Sequence, residues 1–293
     1  MKENVSESEQ PPPRATIVIP AHNEANVIQR CLEHIYDTSE PGEFEVIVVC
    51  NGCTDNTAGV VRQNFPLARI LETPVASKVY SLNLADVTSS CFPRIYLDAD
   101  LAVNADSLRS LIEPLVKGEA QASCGRMEID TRRSGILVKA FYQVWQENSY
   151  LEDGKFGGLF AVSETGHRRI SPFINVTNDD ELVRRQFKKS ERYFASNCVF
   201  RMTAPRTLGG LVKIRTRAIR GTIELAKLGL NDNSGSSISK FGRFLGRISR
   251  KPSLWVSLPF YLMISVFVRV KIALYNPKNP ALWERDDTSR EVA

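Results

Sequence analysis

The sequence predicts an α/β protein with a mainly parallel sheet. Two observations carry this. Short apolar, β-branched runs alternate with stretches whose apolar residues recur at helical spacing. Polar clusters stand directly after those runs, and parallel sheets hold ligands outside the carboxyl ends of their strands. The first strand is Thr16-Ile17-Val18-Ile19-Pro20, followed by Ala21-His22-Asn23-Glu24 and a helix marked by Val27, Ile28, Cys31, Leu32 and Ile35. Phe44 to Cys50 is near-continuously apolar, as a strand covered on both faces must be. Asn51-Gly52-Cys53-Thr54-Asp55-Asn56 turns it into a helix through Val60, Val61 and Phe65, with Thr54 or Asp55 as N-cap. Ala68 to Leu71 is a third strand, Lys78 to Ala85 a helix, and Arg94 to Leu97 a fourth strand.

Asp98-Ala99-Asp100 ends that fourth strand. Two carboxylates at i and i+2 form a hard-oxygen pair suited to Mg²⁺ or Mn²⁺. An ion held there can bind a diphosphate and neutralise it as it leaves. Further on, Asn178-Asp179-Asp180-Glu181 opens a helical run through Leu182, Val183 and Phe187. Asn23 and Glu24 fit either ligand contacts or a cap for the next helix, and Glu181 falls on the outer face of its helix. Cys50-x-x-Cys53 has redox spacing, but most of the cysteines lie in apolar runs and read as small core residues. His22, His34 and His167 share no metal-ligand spacing. Arg201, Arg206, Lys213, Arg215, Arg217 and Arg220 form a basic stretch, open to three readings: a diphosphate clamp, a contact with an anionic membrane, or a solvated helix face.

The 293 residues, 43% of them hydrophobic, suffice for a full core. A polar tail is expected over 1–13 and a loose end over 286–293, with no signal peptide. The segment 229–240 reads as a linker and 241–285 as a basic, apolar helical region. Within it, Leu254 to Val268 is apolar, interrupted by Pro259 and too short for the roughly 20 residues of a span. Basic residues flank both ends, which suits a segment lying in the headgroup region of a membrane, with a helix packed on the catalytic domain and a short span as the other readings. Net charge is +5, without a recognisable nucleic-acid-binding motif.

Six stretches in this order resemble family 2 glycosyltransferases of the GT-A fold: Ile19-Pro20-Ala21-His22-Asn23-Glu24, Val48 to Thr57, Lys78 with Ser81 to Ala85, Asp98-Ala99-Asp100, Gly157-Gly158 to Val162, and Asn178 to Leu182. The resemblance covers roughly Ala15 to Arg220. It implies a Rossmann-like catalytic domain over 14–228, followed by the helical membrane-associating region. It implies an inverting transferase that moves a sugar from a nucleotide-diphosphate-sugar donor to a glycan or lipid-linked acceptor. The setting would be envelope polysaccharide synthesis at the cytoplasmic face of the cell membrane. Asp98 and Asp100 would hold Mn²⁺ or Mg²⁺. Pro20, Ala21, Asn23, Glu24, Cys50, Asn51, Lys78 and Gly158 would line the donor site, and Arg215 and Arg217 would clamp its diphosphate. Asp180, or Asp179 beside it, would be the general base. The sequence departs from the family at Cys50, where an Asp usually meets the nucleotide base, so the base stays open between uridine and guanosine. Asn51 or backbone groups could replace that contact. Two other readings are a non-catalytic nucleotide-sugar-binding protein recruited to membranes and a thiol oxidoreductase using Cys50 and Cys53.

Overall fold

The computed structural model describes residues 11–89, 91–148, 151, 154–230 and 237–274. Most of the expected N-terminal tail, half of the linker, the end of the apolar region and the loose C-terminus lie outside the described residues.

Apolar side chains on both faces of one strand force it into the middle of a covered sheet. β1 (Ala15–Ala21) is buried along its whole length, with Ile17 and Ile19 in one core and Val18 in the other. It pairs in parallel with β2 (Phe44–Asn51) and β4 (Arg94–Leu97), and β3 (Arg69–Thr73) continues the parallel run beyond β2. With β5 (Ala122–Asp130), β6 (Leu159–Val162) and β7 (Arg192–Thr203), these form a seven-stranded sheet of order β3-β2-β1-β4-β6-β5-β7. The sheet is parallel except at β6, which runs antiparallel to both β4 and β5. That reversal brings the start of β6 to the edge where β1, β2 and β4 end.

Helices cover both faces. α1 (Ile28–Tyr36), α2 (Thr57–Asn64) and α4 (Ala105–Val116) fill one core. α3 (Lys78–Asp86), α6 (Glu164–Ile170) and α7 (Asp179–Gln186) fill the other. The caps differ from expectation. Glu24 supports the start of α1 with its backbone carbonyl, which accepts from Val27 and Ile28 at 2.9 Å, and α1 has no side-chain cap. α2 starts at Thr57, whose N–H donates to Asp55 Oδ1 at 3.0 Å. Asn178 takes the N-cap position of α7 without a side-chain cap bond.

α5 (Ile136–Trp145), α8 (Leu208–Lys227) and α10 (Leu258–Leu274) share a third apolar cluster built on Phe141, Leu211, Ile264 and Val268. α9 (Ser237–Ser249) packs Phe244 and Ile248 against Val144 of α5. α9 thus begins inside the stretch read as a linker. Pro259 lies in the first turn of α10, where a missing N–H costs nothing, so it does not interrupt the helix.

One buried ionic cluster ties α3, β4 and α6 together. Asp86 accepts from Arg94 Nη1 and from Tyr96 Oη, both at 2.8 Å, and lies 2.8 Å from His167 Nε2. His167 is therefore a packing residue, as its lack of metal spacing suggested. Removing one member of such a cluster strands the others away from water. Asp86→Ala is expected to lower the unfolding free energy by about 3–5 kcal/mol, measured by urea denaturation; a loss under ~1 kcal/mol would show that the cluster is no better than a surface pair.

Candidate active site

Three elements place carboxylates at the sheet edge. Asp98 follows β4, and its N–H donates to the carbonyl of Gly158 at 2.8 Å. Gly158 has φ +80°, and a Cβ there would lie 2.8 Å from Asp98 Oδ2. The glycine that leads β6 is thus required by the carboxylate beside it. Ala99 is buried in the core, which anchors the turn between Asp98 and Asp100. Asp179 and Asp180 occupy the first turn of α7, where the helix dipole favours negative charge. α7 is positioned by Asn178, whose Nδ2 donates to the Ala218 carbonyl of α8 at 3.0 Å. Gly221 makes that approach possible, since a Cβ there would meet Asn178 at 2.4 Å.

Lys78 joins these groups. Its ammonium lies 2.9 Å from Asp98 Oδ1 and 2.9 Å from Asp179 Oδ2. A lysine in the first turn of a helix opposes the dipole. Burial opposes its charge as well, but Asp179, Asp98 and Asp180 outweigh burial and hold the ammonium well above the ordinary lysine range. Pro20, Lys78, Asp98, Gly158 and Asp179 line one recess. Asp180 differs from its neighbour: burial first, then the charge of Asp179, pushes its carboxyl up to about 6.

The donor-side residues divide. Asn51 is buried and its amide N–H donates to the Ala21 carbonyl at 3.1 Å, tying β1 to β2. Asn23, at φ 53°, accepts from the N–H groups of Thr54 at 2.7 Å and Asp55 at 3.3 Å. Glu24 is buried, its N–H on Thr57 Oγ1 at 2.9 Å. Both shape the turns around the recess. Cys50 is buried in the core beneath a cleft of ≈ 280 Å³ lined also by Gly52, Cys53, Glu72, Thr73 and Pro74. Burial pushes the Cys50 thiol up to about 12, whereas redox cysteines need an accessible thiolate. The geometry opposes the oxidoreductase reading.

Sequence reasoning missed three features here. Glu181 is not on a solvated face: it is buried and clasped by Arg184 at 2.7 and 2.8 Å and by Arg185 at 2.7 Å. The two arginines outweigh burial and keep its carboxyl below the usual range. Glu72 pairs in register with Cys50 across β2 and β3, a position no local pattern marks. Lys155 lies over the Trp145 ring, 5.5 Å from its centroid. Arg215 on α8 lies 5.7 Å from the Phe141 and Trp145 ring centroids, and Arg217 is part-buried on the same helix.

Asp98 and Asp100 fit a hard divalent ion. No group of three or more His, Cys, Asp or Glu among the described residues could hold a metal by itself. Mg²⁺-like ions accept this, because they complete their shells with water and substrate phosphates.

Residues 16–155 match the model of Glycosyl transferase family 2. Over those residues the chain is similar to family 2 glycosyltransferases. The matched segment includes Pro20, Lys78 and Asp98 of the recess, while Gly158 and the Asp179–Asp180 pair lie beyond it. Chondroitin synthase of Pasteurella multocida (strain Pm70) and hyaluronan synthase of Pasteurella multocida are each 28% identical to this chain over 140 residues. That stretch is 47% of this chain and 14% of each synthase. Among solved structures, the mannosyltransferase PcManGT from Pyrobaculum calidifontis, in complex with GDP-Man and Mn²⁺, superposes with a TM-score of 0.60 at 20% identity, over 91% of this chain and 76% of that one. Glucosyl-3-phosphoglycerate synthase from Mycobacterium tuberculosis, in complex with Mn²⁺, UDP and glucosyl-3-phosphoglycerate, gives 0.53 at 17% identity, over 75% and 81%. The shared feature is the fold, a GT-A-like α/β sheet flanked by helices.

The Lys78 bridge yields a test of the site's electrostatics. The raised lysine stays charged throughout neutral pH, so the ionisation of the carboxylates decides what its loss costs. In Lys78→Met, Asp98, Asp179 and Asp180 repel one another at pH 8, whereas at pH 5 Asp180 is protonated. The expected destabilisation is about 1–3 kcal/mol at pH 8 and smaller at pH 5, read from thermal melts. An equal loss at both pH values would contradict the bridge.

Proposed function

We propose that the protein is a metal-dependent, inverting glycosyltransferase that moves a sugar from a nucleotide-diphosphate-sugar donor to a glycan or lipid-linked acceptor. The observation that carries this reading is Lys78, which draws the Asp98 end of β4 and the Asp179–Asp180 turn of α7 into one recess. A leaving group and an attacking hydroxyl must meet across one anomeric carbon, and the recess brings the groups that serve each within reach. The cleft above Cys50 would take the nucleoside. A divalent ion on Asp98 and Asp100 would supply charge neutralisation to the departing diphosphate. Both solved relatives bind Mn²⁺ together with a nucleotide or nucleotide sugar, which supports that assignment.

Asp180 is the base. It accepts the acceptor's hydroxyl proton as the new C–O bond forms and the bond to the diphosphate breaks. Asp179 is committed to Lys78, whereas Asp180 binds a proton near the pH at which a base works best. Lys78 orients Asp179 and Asp98 and offsets their charge.

The reading is tested by screening UDP- and GDP-sugars for diphosphate release with Mn²⁺ and Mg²⁺, with and without membrane extract as acceptor; no release under any condition would overturn it. In Asp180→Asn, turnover is expected to fall by about 10²–10⁴ with donor affinity kept. Wild-type turnover should fall as pH drops through about 6, because the base must be unprotonated. Unchanged turnover in the variant would move the base to Asp179.

We also propose that α9 and α10 dock on an anionic membrane surface at the cytoplasmic face. From Ser237 to Leu274 the basic residues are Lys240, Arg243, Arg247, Arg250, Lys251, Arg269 and Lys271, with no Asp or Glu. α10 buries Ile264 and Val268, while Phe260, Met263, Phe267, Val270 and Leu274 form an exposed stripe at spacings of three and four. No helix among the described residues is long and apolar enough to cross a membrane. An apolar stripe beside purely basic charge suits a leaflet rich in anionic lipid. The full chain is expected to co-sediment with phosphatidylglycerol vesicles, less in high salt, and Met263→Glu with Phe267→Glu should weaken this at least about tenfold while the melt is unchanged. Equal sedimentation of the variant would contradict the assignment.

A further inference from the structure

Lys155 lies in the loop that leads to β6. Among the described residues it makes no ion pair and no hydrogen bond, and its only partner is the face of Trp145. A Cβ on Gly157 would lie 2.5 Å from Lys155 Cε and 3.0 Å from its Nζ, so that glycine leaves room for the lysine's stem to fold back. Arg215, from α8, rests against the same indole ring. Burial, together with the nearby Arg215, works against the lysine's charge, while Asp180, Glu181 and Asp98 favour it without touching it.

Two cations gathered on one aromatic ring repel each other. A part-buried ammonium without a counter-ion is costly, and the ring face returns only a small part of that. The lysine's charge is compensated when an anion arrives beside it. We propose that Lys155, with Arg215 against the same indole ring, forms a subsite for a phosphate group of a substrate. This deepens the transferase reading and rests on it for the identity of the substrate. The phosphate belongs either to the donor's diphosphate or to a phosphorylated acceptor. In both cases the lysine's charge is satisfied only in the loaded enzyme, so the subsite selects for substrates that bring the anion.

The test uses the full chain without metal, titrated with inorganic pyrophosphate by calorimetry. Lys155→Met is expected to weaken pyrophosphate binding at least about tenfold, the effect of losing a charge-assisted contact. Its melting temperature should not fall, because the lysine supports no other group. Lys213→Met, on the exposed face of α8, is the control and should bind as wild type does. Equal affinity in Lys155→Met, or no pyrophosphate binding by the wild type, overturns the proposal. A lower melting temperature with unchanged affinity assigns the lysine to the scaffold and also overturns it. UDP and GDP with Mn²⁺ then separate the sources. If Lys155→Met binds both nucleotides more weakly, the phosphate is the donor's. If nucleotide binding is intact while pyrophosphate binding is lost, the phosphate is the acceptor's. If the wild type binds pyrophosphate but neither nucleotide, nor any other nucleoside diphosphate, the subsite stands and the transferase reading fails.

Discussion

The balance of charge around Lys78 is the constraint on which the site depends. Asp98, Asp179 and Asp180 come from two distant parts of the chain and meet at the end of a buried sheet. Left alone, they would repel across a poorly solvated gap. The lysine's ammonium, 2.9 Å from two of them, makes their approach favourable. It also divides their roles: Asp179 is held by the lysine, and Asp180 keeps a raised affinity for protons.

The antiparallel strand β6 serves the same edge. A wholly parallel sheet would bring a strand end there. The reversed strand instead brings its start, and Gly158 accepts the N–H of Asp98. Backbone can press against a carboxylate only where no Cβ intervenes, so Gly158, which makes room for Asp98, has a spatial reason. α8 closes the other side, fixed to the start of α7 by Asn178 and to α5 and α10 by apolar packing. α10, one of the two helices proposed to meet a membrane, is thus packed on the helix that carries Arg215.

Much of the site was legible as a set of strand ends. Asp98 and Asp100, Lys78, and the Asp179–Asp180 pair were each visible because a polar cluster follows or opens a regular element. What they do to one another was not visible, since Lys78 and Asp179 are a hundred residues apart. Asn51 and Asn23, read from the sequence as ligand contacts, also bind backbone, because the turns between strand and helix have their own N–H and C=O groups to satisfy. Lys155 carried no signal at all. Its neighbours Trp145 and Arg215 come from α5 and α8, and nothing local distinguishes it from a solvated lysine.

The sequence by itself determined the central strands, the helices between them, the mainly parallel character of the sheet and the edge at which chemistry gathers. These follow from periodicity and side-chain volume, which act within a few residues. Tertiary structure alone decided the direction of β6, the burial of Glu181 between two arginines, and the packing of α9 and α10 onto the catalytic body. It also decided which carboxylate holds the lysine and which has the raised affinity for protons. Those outcomes depend on distances between charges and on water excluded by elements far apart in the chain, and no local pattern encodes either.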